Sequence, residues 1–249
     1  MSAKVVLITG ASRGIGAATA LLCAAQGYDL ALNYAQDEAS ASYLAEQVRR
    51  MGRRAVTIQA DVSREADVLR LFATIDAELG PLTALVNNAG IVAPVARVDQ
   101  MAFDRIHRMF AVNVLGSFLC AREAVLRMST RHGGKGGVIV NVSSRAAELG
   151  SPGIFVDYAA SKGAIDSFTV GLAREVAGEG IRVNAVRPGL IATEIHAASG
   201  MADRLTTGVS SVPMLRIGTA QEVAQAIVWL LSDASSYTTG TLLDVGGGR

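Results

Sequence analysis

The chain contains few of the residues that build disulfides and metal centres, with two cysteines and three histidines among 249 residues. Cys23 and Cys120 lie far apart in apolar, helix-like sequence, which is typical of small core residues in a reduced compartment. His107, His132 and His196 lack the spacing of metal ligands. We therefore expect neither a disulfide nor a metal site.

The chain also has little net charge and lacks long apolar runs. Its net charge is +1 and 18% of its residues are charged, so no strong field would attract nucleic acid or an anionic membrane. No uninterrupted apolar run approaches the roughly 20 residues that a membrane helix needs. A strand pattern begins at Val5 and leaves no room for a signal peptide. We expect a cytoplasmic protein without nucleic-acid or membrane partners.

Half of the residues are hydrophobic, and they fall into alternating strand-like and helix-like segments. Strands are predicted at 5–9, 30–34, 55–60, 84–88, 138–142, 182–187 and 241–245. Helices are predicted at 17–26, 38–51, 63–79 with Ser63 as its cap, 103–131, 158–178 and 222–231. This alternation requires right-handed crossovers and a parallel sheet. We predict one doubly wound α/β domain of the Rossmann type over 1–249, with a seven-stranded parallel sheet and helices on both faces.

A glycine-rich turn joins the first strand to the first helix. Gly10, Gly14 and Gly16 have the spacing Gly-x-x-x-Gly-x-Gly, and Ser12, Arg13 and Ile15 complete the turn. Glycines at this position let backbone amides approach a pyrophosphate at the positive end of a helix. The alternative is a tight strand-to-helix turn that binds nothing. The glycine turn lies in the first strand–helix unit of a doubly wound sheet, and this position favours nucleotide binding.

The end of the second strand bears on which nucleotide binds. A carboxylate there would hydrogen-bond the ribose hydroxyls of NAD, but this chain has Asn33 and Tyr34. Arg13 could pair with a 2′-phosphate. These residues predict NADP, with NAD as the alternative if Arg13 is a solvated loop charge or Asp37 folds back towards the ribose.

Two more strand ends contribute candidate cofactor contacts. Asp61 and Val62 follow the third strand, where the carboxylate can accept from the adenine amino group and the amide can donate. The alternative for Asp61 is a helix-capping carboxylate without a ligand. Asn88, Ala89 and Gly90 follow the fourth strand, where small residues let the backbone lie close to a cofactor.

Tyr158 and Lys162 lie four residues apart in a predicted helix, so their side chains share one face. A neighbouring ammonium stabilises a phenolate and lowers the pKa of the phenol towards the working range of a general acid or base. The alternative is a pair of solvated neighbours on a surface helix.

Several motifs in this order and at these distances resemble those of the short-chain dehydrogenase/reductase family. They comprise Thr9-Gly10-x-x-x-Gly14-x-Gly16, Asn87-Asn88-Ala89-Gly90, Asn113, Ser143-Ser144, Tyr158-x-x-x-Lys162 and Pro188-Gly189. The likeness covers essentially the whole chain. Within the family, the tract Ser151–Asp166 together with Arg187-Pro188-Gly189 resembles that of bacterial sugar (glucose-type) dehydrogenases and uncharacterised oxidoreductases.

The resemblance implies a catalytic quartet of Asn113, Ser144, Tyr158 and Lys162. By that resemblance Tyr158 exchanges a proton with the carbonyl oxygen, Ser144 holds that oxygen, and Lys162 lowers the tyrosine pKa and binds the nicotinamide ribose. Asn113 would position a water that links Lys162 to solvent; the alternative is an interior residue satisfied by backbone. Ser143 is the alternative to Ser144.

The resemblance also assigns the last cofactor contacts and a mobile substrate lid. The cofactor contacts are Pro188, Gly189, Ile191 and Thr193, and the lid spans about 190–213. Glu148, Phe155 and His196 are candidates for the substrate pocket. A homotetramer is implied as well, formed through the long helices and the last strand and helix.

The sequence thus predicts an NADP-preferring oxidoreductase that interconverts a secondary alcohol with a ketone or aldehyde, on a sugar or small carbonyl substrate. One alternative is a 3-oxoacyl-[acyl-carrier-protein] reductase, for which Arg127, Arg131 and Lys135 offer some positive charge, although Glu175 and Glu179 lie nearby. The alternative from another class is a binding protein that senses NADP without turnover.

Overall fold

A computed structural model describes residues 4–193 and 208–249 and contains a seven-stranded parallel sheet, which confirms the predicted fold class. The strands are β1 (Val5–Ile8), β2 (Asp29–Tyr34), β3 (Ala55–Gln59), β4 (Ala84–Asn87), β5 (Gly137–Val142), β6 (Ile181–Pro188), β7 (Ile191–Ala192), β8 (Gly218–Thr219) and β9 (Leu242–Val245). The order in the sheet is β3-β2-β1-β4-β5-β6-β9, and β7 pairs separately with β8.

Helices cover both faces of the sheet. They are α1 (Gly14–Ala25), α2 (Glu38–Arg50), α3 (Glu65–Glu78), α4 (Phe103–Phe110), α5 (Gly116–Met128), α6 (Ala146–Leu149), α7 (Val156–Val176) and α8 (Ala220–Leu231). One buried cluster packs α1, α2 and α8 on the sheet, and a second packs α3, α5 and α7 on the opposite face. Cys23 belongs to the first cluster and Cys120 to the second, and burial raises the pKa of each thiol to about 12.

The strand order changes direction between β1 and β4, and this switch point determines where a ligand can bind. The chain leaves β1 towards one side of the sheet and β4 towards the other, so a crevice opens at their carboxyl ends. The glycine turn follows β1, and Asn88 to Gly90 follow β4. The topology therefore brings two of the predicted binding segments together.

Several predicted boundaries are wrong for local reasons. The third helix begins at Glu65 after Arg64, because the Ser63 hydroxyl donates to the Asp61 carboxylate at 2.7 Å instead of capping the helix. The segment 103–131 is not one regular α-helix: a π-helical turn at Ala111–Leu115 separates α4 from α5, which ends at Met128. The sequence analysis did not predict α6, β7 or β8.

Within the described residues, the helical stretch Phe103–Met128 is long and apolar enough to cross a membrane by length and composition. It contains no long uninterrupted apolar run, because polar residues such as Arg122 and Glu123 interrupt it while its average hydropathy remains apolar. Of its most apolar window, 61% is buried inside the protein. The α5 part of this stretch packs on β4 and β5 beside α3, as a core helix does.

Candidate active site

A cavity of about 460 Å³ follows the carboxyl edge of the sheet from the glycine turn to α7. The predicted site residues that line it are Gly10, Ser12, Arg13, Gly14, Ile15, Asn33, Asp61, Val62, Asn88, Ala89, Gly90, Ser144, Tyr158, Lys162, Pro188, Gly189, Ile191 and Thr193. The three that do not line it are Gly16, Tyr34 and Asn113. The volume lies within the range of about 300–1,000 Å³ usual for small-molecule sites.

The glycine turn has the backbone that a phosphate site needs. Gly10 and Gly14 have φ angles of +60° and +54°, a region that favours glycine. Gly16 has a packing role: an added Cβ would lie 2.5 Å from the Gly10 carbonyl oxygen and 2.7 Å from Asn88 Nδ2. The turn leads directly into α1, whose first amides carry the positive end of the helix dipole.

Thr9 and Asn88 hold this turn against the end of β4. The Thr9 hydroxyl accepts hydrogen bonds from the amides of Asn88 and Ala89, both at 3.0 Å. Asn88 Nδ2 donates to the carbonyls of Thr9 and Gly10, both at 2.9 Å. Thr9 was named in the motif without a role, because hydrogen bonds between distant segments leave no spacing signal.

At the end of β2, Asn33 lines the cavity as predicted and also bonds to the backbone, whereas Tyr34 does not line the cavity. The Asn33 side chain lies among backbone groups, accepting from the Gly10 amide at 3.2 Å and donating to the Ala60 carbonyl at 3.0 Å. Tyr34 is buried and does not line the cavity, whereas Ala35, Gln36 and Asp37 do. Asn33 thus supports the glycine turn, and the cavity rim is formed by the residues that follow β2.

Arg13 and Asp37 face each other across the rim at this end of the cavity. Arg13 is exposed at the start of α1, and Asp37 caps α2 by accepting from the Ser40 amide at 3.0 Å. The hydrogen bonds from Ser40 lower the pKa of Asp37, and the charge of Arg13 lowers it further. A cation and a carboxylate therefore both border the place predicted for the adenosine ribose.

Asp61 lines the cavity together with Arg108, which the sequence analysis did not identify. Arg108 lies 3.0 Å from the Asp61 carboxylate and donates to the Ser63 hydroxyl at 2.7 Å. Burial alone would raise the pKa of Asp61, but the hydrogen bonds from Ser63 and Arg108 outweigh it and hold the pKa below its usual value. An ionised acceptor is thus available at the predicted adenine end.

At the other end of the cavity, Lys162 is buried beside Tyr158. Its Nζ lies 5.7 Å from the centroid of the Tyr158 ring and donates to the Val142 carbonyl at 2.7 Å. Burial lowers the pKa of Lys162 to about 8, against the opposing charge of Asp166. The two side chains share one face of α7, as their spacing predicts.

The two serines after β5 have different surroundings. The Ser143 hydroxyl is buried and donates to the Lys162 carbonyl at 3.2 Å. The half-buried Ser144 hydroxyl accepts from the Ala146 amide at 3.1 Å. A hydroxyl has one proton to donate, so Ser144 can still donate to a ligand in the cavity. This geometry favours Ser144 over Ser143.

Asn113 lies in the π-helical turn and holds the loop after β4. Its carboxamide accepts from the Ile91 amide at 2.8 Å, donates to the Ile91 carbonyl at 3.0 Å and donates to the Ser161 hydroxyl at 3.1 Å. An added Cβ on Gly90 would lie 3.4 Å from Asn113 Oδ1 and 3.5 Å from Lys162 Nζ. The side chain matches the structural alternative, and its part in a proton relay stays a prediction.

A buried ion pair fixes the start of α7, and the sequence analysis missed it. Arg105 Nε lies 2.8 Å from the carboxylate of Asp157, which directly precedes Tyr158. Arg105 also donates to the Pro94 carbonyl, in the loop after β4. Because the two partners are 52 residues apart, only the fold shows that this pair helps to orient the tyrosine.

The predicted substrate pocket is described in part. Phe155 and Ser151 line the cavity beside Tyr158, whereas Glu148 does not and instead forms ion pairs with Arg145 and Arg187. His196 and most of the predicted lid lie outside the described residues. Thr193 does line the cavity.

The cavity fits a nicotinamide dinucleotide extended along the sheet edge. A turn without side chains at Gly10 and Gly14 can receive the pyrophosphate, and the Gly90 backbone lies close to Lys162. Residues 12–15 and Arg108 would hold the adenosine half, while Lys162 and Thr193 would hold the nicotinamide half. When bound, the nicotinamide would supply or accept a hydride beside Tyr158.

Comparison with known proteins decides the family. A family model described as "Enoyl-(Acyl carrier protein) reductase" matches residues 10–249. The uncharacterised oxidoreductase YgfF of Escherichia coli is 54% identical over 245 residues, covering 98% of this chain and 99% of that protein. The chain belongs to the short-chain dehydrogenase/reductase family. It is an NAD(P)-dependent oxidoreductase acting on CH–OH groups or carbonyls, and the resemblance stated from its motifs is confirmed.

Other members of the short-chain dehydrogenase/reductase family match along the whole chain. Glucose 1-dehydrogenase 2 of Bacillus subtilis is 36% identical, covering 100% of this chain and 95% of that one. A 3-oxoacyl-[acyl-carrier-protein] reductase of Synechocystis is also 36% identical, with 100% and 97% covered. A metagenomic blue fluorescent protein in complex with NADPH superposes with a TM-score of 0.91, at 34% identity over 98% of this chain and 97% of the other.

Proposed function

We propose that this enzyme is an NADP(H)-preferring reductase/dehydrogenase that interconverts an uncharged secondary alcohol with its carbonyl compound. The observation that carries the proposal is the buried Lys162 ammonium beside Tyr158, in the same cavity as Ser144 and the glycine turn. This arrangement combines a proton donor, a hydrogen-bond donor for a carbonyl oxygen and a dinucleotide site.

Tyr158 is the general acid in the reductive direction. Its hydroxyl gives a proton to the carbonyl oxygen and takes that proton back in the oxidative direction. The nearby Lys162 ammonium stabilises the phenolate that remains after proton donation. Ser144 donates a hydrogen bond to the same oxygen and stabilises the charge that develops on it.

Arg13 supports the preference for NADP. It is exposed at the rim of the glycine turn, where a 2′-phosphate on the adenosine ribose would meet its guanidinium. Asp37 on the same rim is the residue that would favour NAD, but its carboxylate is engaged in capping α2. A structural relative is complexed with NADPH. We infer that Arg13 outweighs Asp37.

The charges lining the cavity favour a neutral substrate. Among the described lining residues, the charged side chains other than Lys162 lie at the adenosine end and are Arg13, Asp37, Asp61 and Arg108. The Lys162 ammonium donates to the Val142 carbonyl and serves Tyr158. Around Tyr158 the wall is formed by Ser144, Ser151, Phe155, Val92 and Thr193. Hydroxyls and apolar surface suit a sugar or a small ketone rather than a carboxylate.

The similarity to a 3-oxoacyl-[acyl-carrier-protein] reductase makes that activity the second candidate. An acidic carrier protein needs a basic docking surface. Of the candidate basic residues, Arg127 pairs with Asp76 and Glu123, both within 2.9 Å, and Arg131 lies 3.8 Å from Glu179. These carboxylates neutralise most of that surface, so this candidate ranks second.

We also propose a homotetramer that uses α5 and α7. Leu115, Phe118 and Leu126 in or next to α5 remain about half exposed, as expected for a face that another subunit covers. Phe118 stacks on Phe168 of α7 at 3.8 Å between ring centroids. Ile165 of α7 is buried in the core of its own chain and is not available to such an interface.

The test assays each compound of a carbonyl panel with NADPH and with NADH at neutral pH. Oxidation of the cofactor is monitored by its absorbance. The panel contains aldoses, short ketones and an acyl-carrier-protein thioester. The proposal expects turnover of neutral carbonyl compounds with a higher kcat/KM for NADPH than for NADH. Turnover confined to the thioester would favour the second candidate, and NADPH binding without any turnover would favour a sensing protein.

A further inference from the structure

An ion cluster lies behind the proposed proton donor, on the side of Lys162 away from the cavity. Asp166 follows Lys162 by one helical turn, and its side chain is 13% exposed. Its carboxylate lies 3.6 Å from Arg187. Arg187 directly precedes Pro188, so the cluster reaches the strand that carries the predicted nicotinamide contacts.

Arg187 is bound more closely by other carboxylates than by Asp166. The Nε of Arg187 lies 2.6 Å from the carboxylate of Asp244 in β9, and its Nη2 lies 3.3 Å from the carboxylate of Glu148. Arg145 adds a second guanidinium, at 2.8 Å from Asp244 and 2.6 Å from Glu148. Arg187 is shared among three carboxylates and Asp166 is the farthest of them, so Arg187 compensates the charge of Asp166 least when that carboxyl is ionised.

The other groups that the structure describes next to Lys162 carry no charge. The end of β5 contributes the Val142 carbonyl, which accepts from Nζ, and Ser143. The loop after β4 contributes Gly90, and the π-helical turn contributes the Asn113 carboxamide. Among the described residues, Asp166 is the carboxylate whose charge acts on the lysine.

We propose that Asp166 is a positioning residue whose carboxylate provides the counter-charge that keeps Lys162 an ammonium beside Tyr158. This inference rests on the proposed function for its catalytic meaning, although the charge coupling itself is a property of the folded chain. Burial lowers the pKa of Lys162 to about 8, and Asp166 opposes that decrease. Burial also raises the pKa of Asp166, whereas Ser143, Arg187 and Lys162 each act to lower it.

The number of lysines makes the coupling directly measurable. The chain has three lysines, and Lys4 and Lys135 are both exposed. Protein labelled with ¹³C at lysine therefore gives three side-chain signals, and Lys162→Met assigns the buried one. Titrating these signals reports the Lys162 pKa without any substrate, with Lys4 and Lys135 as internal references.

Three variants separate charge from structure. Asp166→Asn removes the counter-charge at nearly constant shape and is expected to lower the Lys162 pKa by about one pH unit or more. Asp166→Glu keeps the charge and is expected to titrate close to the wild type. Glu148→Gln removes a carboxylate from the same cluster without facing Lys162 and should leave the titration in place. Asp166→Ser replaces the Asn variant if that variant does not fold.

The same variants have a catalytic readout. In the wild type, kcat/KM for carbonyl reduction should fall on the alkaline side as Lys162 loses its proton, and Asp166→Asn should move that fall to lower pH by the same amount. An unchanged Lys162 titration in folded Asp166→Asn, or an equal shift in Glu148→Gln, overturns the inference. A shifted titration in an enzyme that reduces no carbonyl keeps the inference and rejects the proposed function.

Discussion

At the scale of single residues, the site depends on a positive charge held away from water. Lys162 is buried and its pKa falls from 10.5 to about 8, which corresponds to about 3 kcal/mol against the charged form. The Val142 carbonyl and the Asp166 carboxylate compensate in part. The protein thus gives up stability to keep a cation where Tyr158 can use it.

Lys162→Met should therefore make the cofactor-free protein more stable while it removes activity. Removing the buried charge regains about 3 kcal/mol of folding free energy. Leaving the Val142 carbonyl without its hydrogen bond costs about 1–3 kcal/mol of that gain. We expect a net gain of about 1 kcal/mol, or about 2–4 °C in Tm at pH 7. Differential scanning calorimetry of both proteins measures it.

The pH dependence of that difference has a definite sign. The pKa of Lys162 is lower in the folded protein than in the unfolded chain, so the penalty is complete below about 8 and disappears as the pH rises towards 10.5. The Tm advantage of Lys162→Met should narrow across this window. A variant less stable than the wild type at pH 7 would contradict the explanation.

Arg13→Ala tests the preference for NADP at one side chain. Loss of a charge-assisted hydrogen bond to the 2′-phosphate should lower kcat/KM for NADPH by about 10–100-fold. The value for NADH should hardly change. Arg50→Ala removes another exposed arginine, at the end of α2 and not among the residues that line the cavity, and serves as the matched control. An equal loss with both cofactors would assign Arg13 to the fold of the turn instead.

The sequence predicted residues whose role depends on neighbours in the same helix or turn, and it missed roles that depend on distant segments. Tyr158 and Lys162 share a helix face by spacing alone, and Gly10 and Gly14 are needed by a turn between adjacent elements. The direction of a side chain at a strand end is not local, so the sequence did not predict that Asn33 bonds to Gly10 and Ala60. Its contact with the cofactor stays a prediction. No sequence spacing pointed to the cavity position of Arg108.

At the scale of elements, the close approach of the glycine turn to the end of β4 is the tightest constraint. An added Cβ on Gly16 would lie within 3.0 Å of the Ala11 backbone and closer still to Gly10 and Asn88. Neither backbone can yield without moving the amides that face the cavity.

Gly16→Ala is accordingly expected to destabilise the protein by about 1–3 kcal/mol and to weaken NADPH binding at least about tenfold. Gly178→Ala is the matched control, because Gly178 is exposed and an added Cβ meets nothing within 4 Å. Chemical denaturation and fluorescence titration with NADPH provide the two readouts. Unchanged NADPH affinity in Gly16→Ala would show that the turn does not hold the dinucleotide.

The sequence predicted the strands and long helices correctly, but it did not predict the irregular features within them or at their ends. Buried strands and amphipathic helices leave a periodic pattern, and all seven strands of the main sheet were predicted. The π-helical turn at Ala111–Leu115 leaves none, because it arises where Asn113 is tied to Ile91 and Ser161. Likewise, Ser63 is a residue type that often caps the N-terminus of a helix, but its hydroxyl donates to the Asp61 carboxylate instead.

At the scale of the whole molecule, the strand order brings distant segments to one cavity. The segments that follow β1, β2, β3, β4, β5 and β6 all meet at the carboxyl edge of the sheet, and α7 closes the far end of the cavity. Apart from the Lys162 ammonium beside Tyr158, the charged side chains that line the described part of the cavity lie at the adenosine end. Family membership establishes NAD(P)-dependent oxidoreductase chemistry, and this distribution of charge supports the narrower proposal of a neutral carbonyl substrate.

The most direct test of the central claim is the turnover of Tyr158→Phe at saturating NADPH, on a carbonyl compound that the wild type reduces. Removing the proton donor should lower kcat by about 10²–10⁴-fold or more, while the Kd for NADPH stays near the wild-type value. A Tyr158→Phe enzyme that keeps most of its kcat would contradict the assignment of Tyr158 as the general acid.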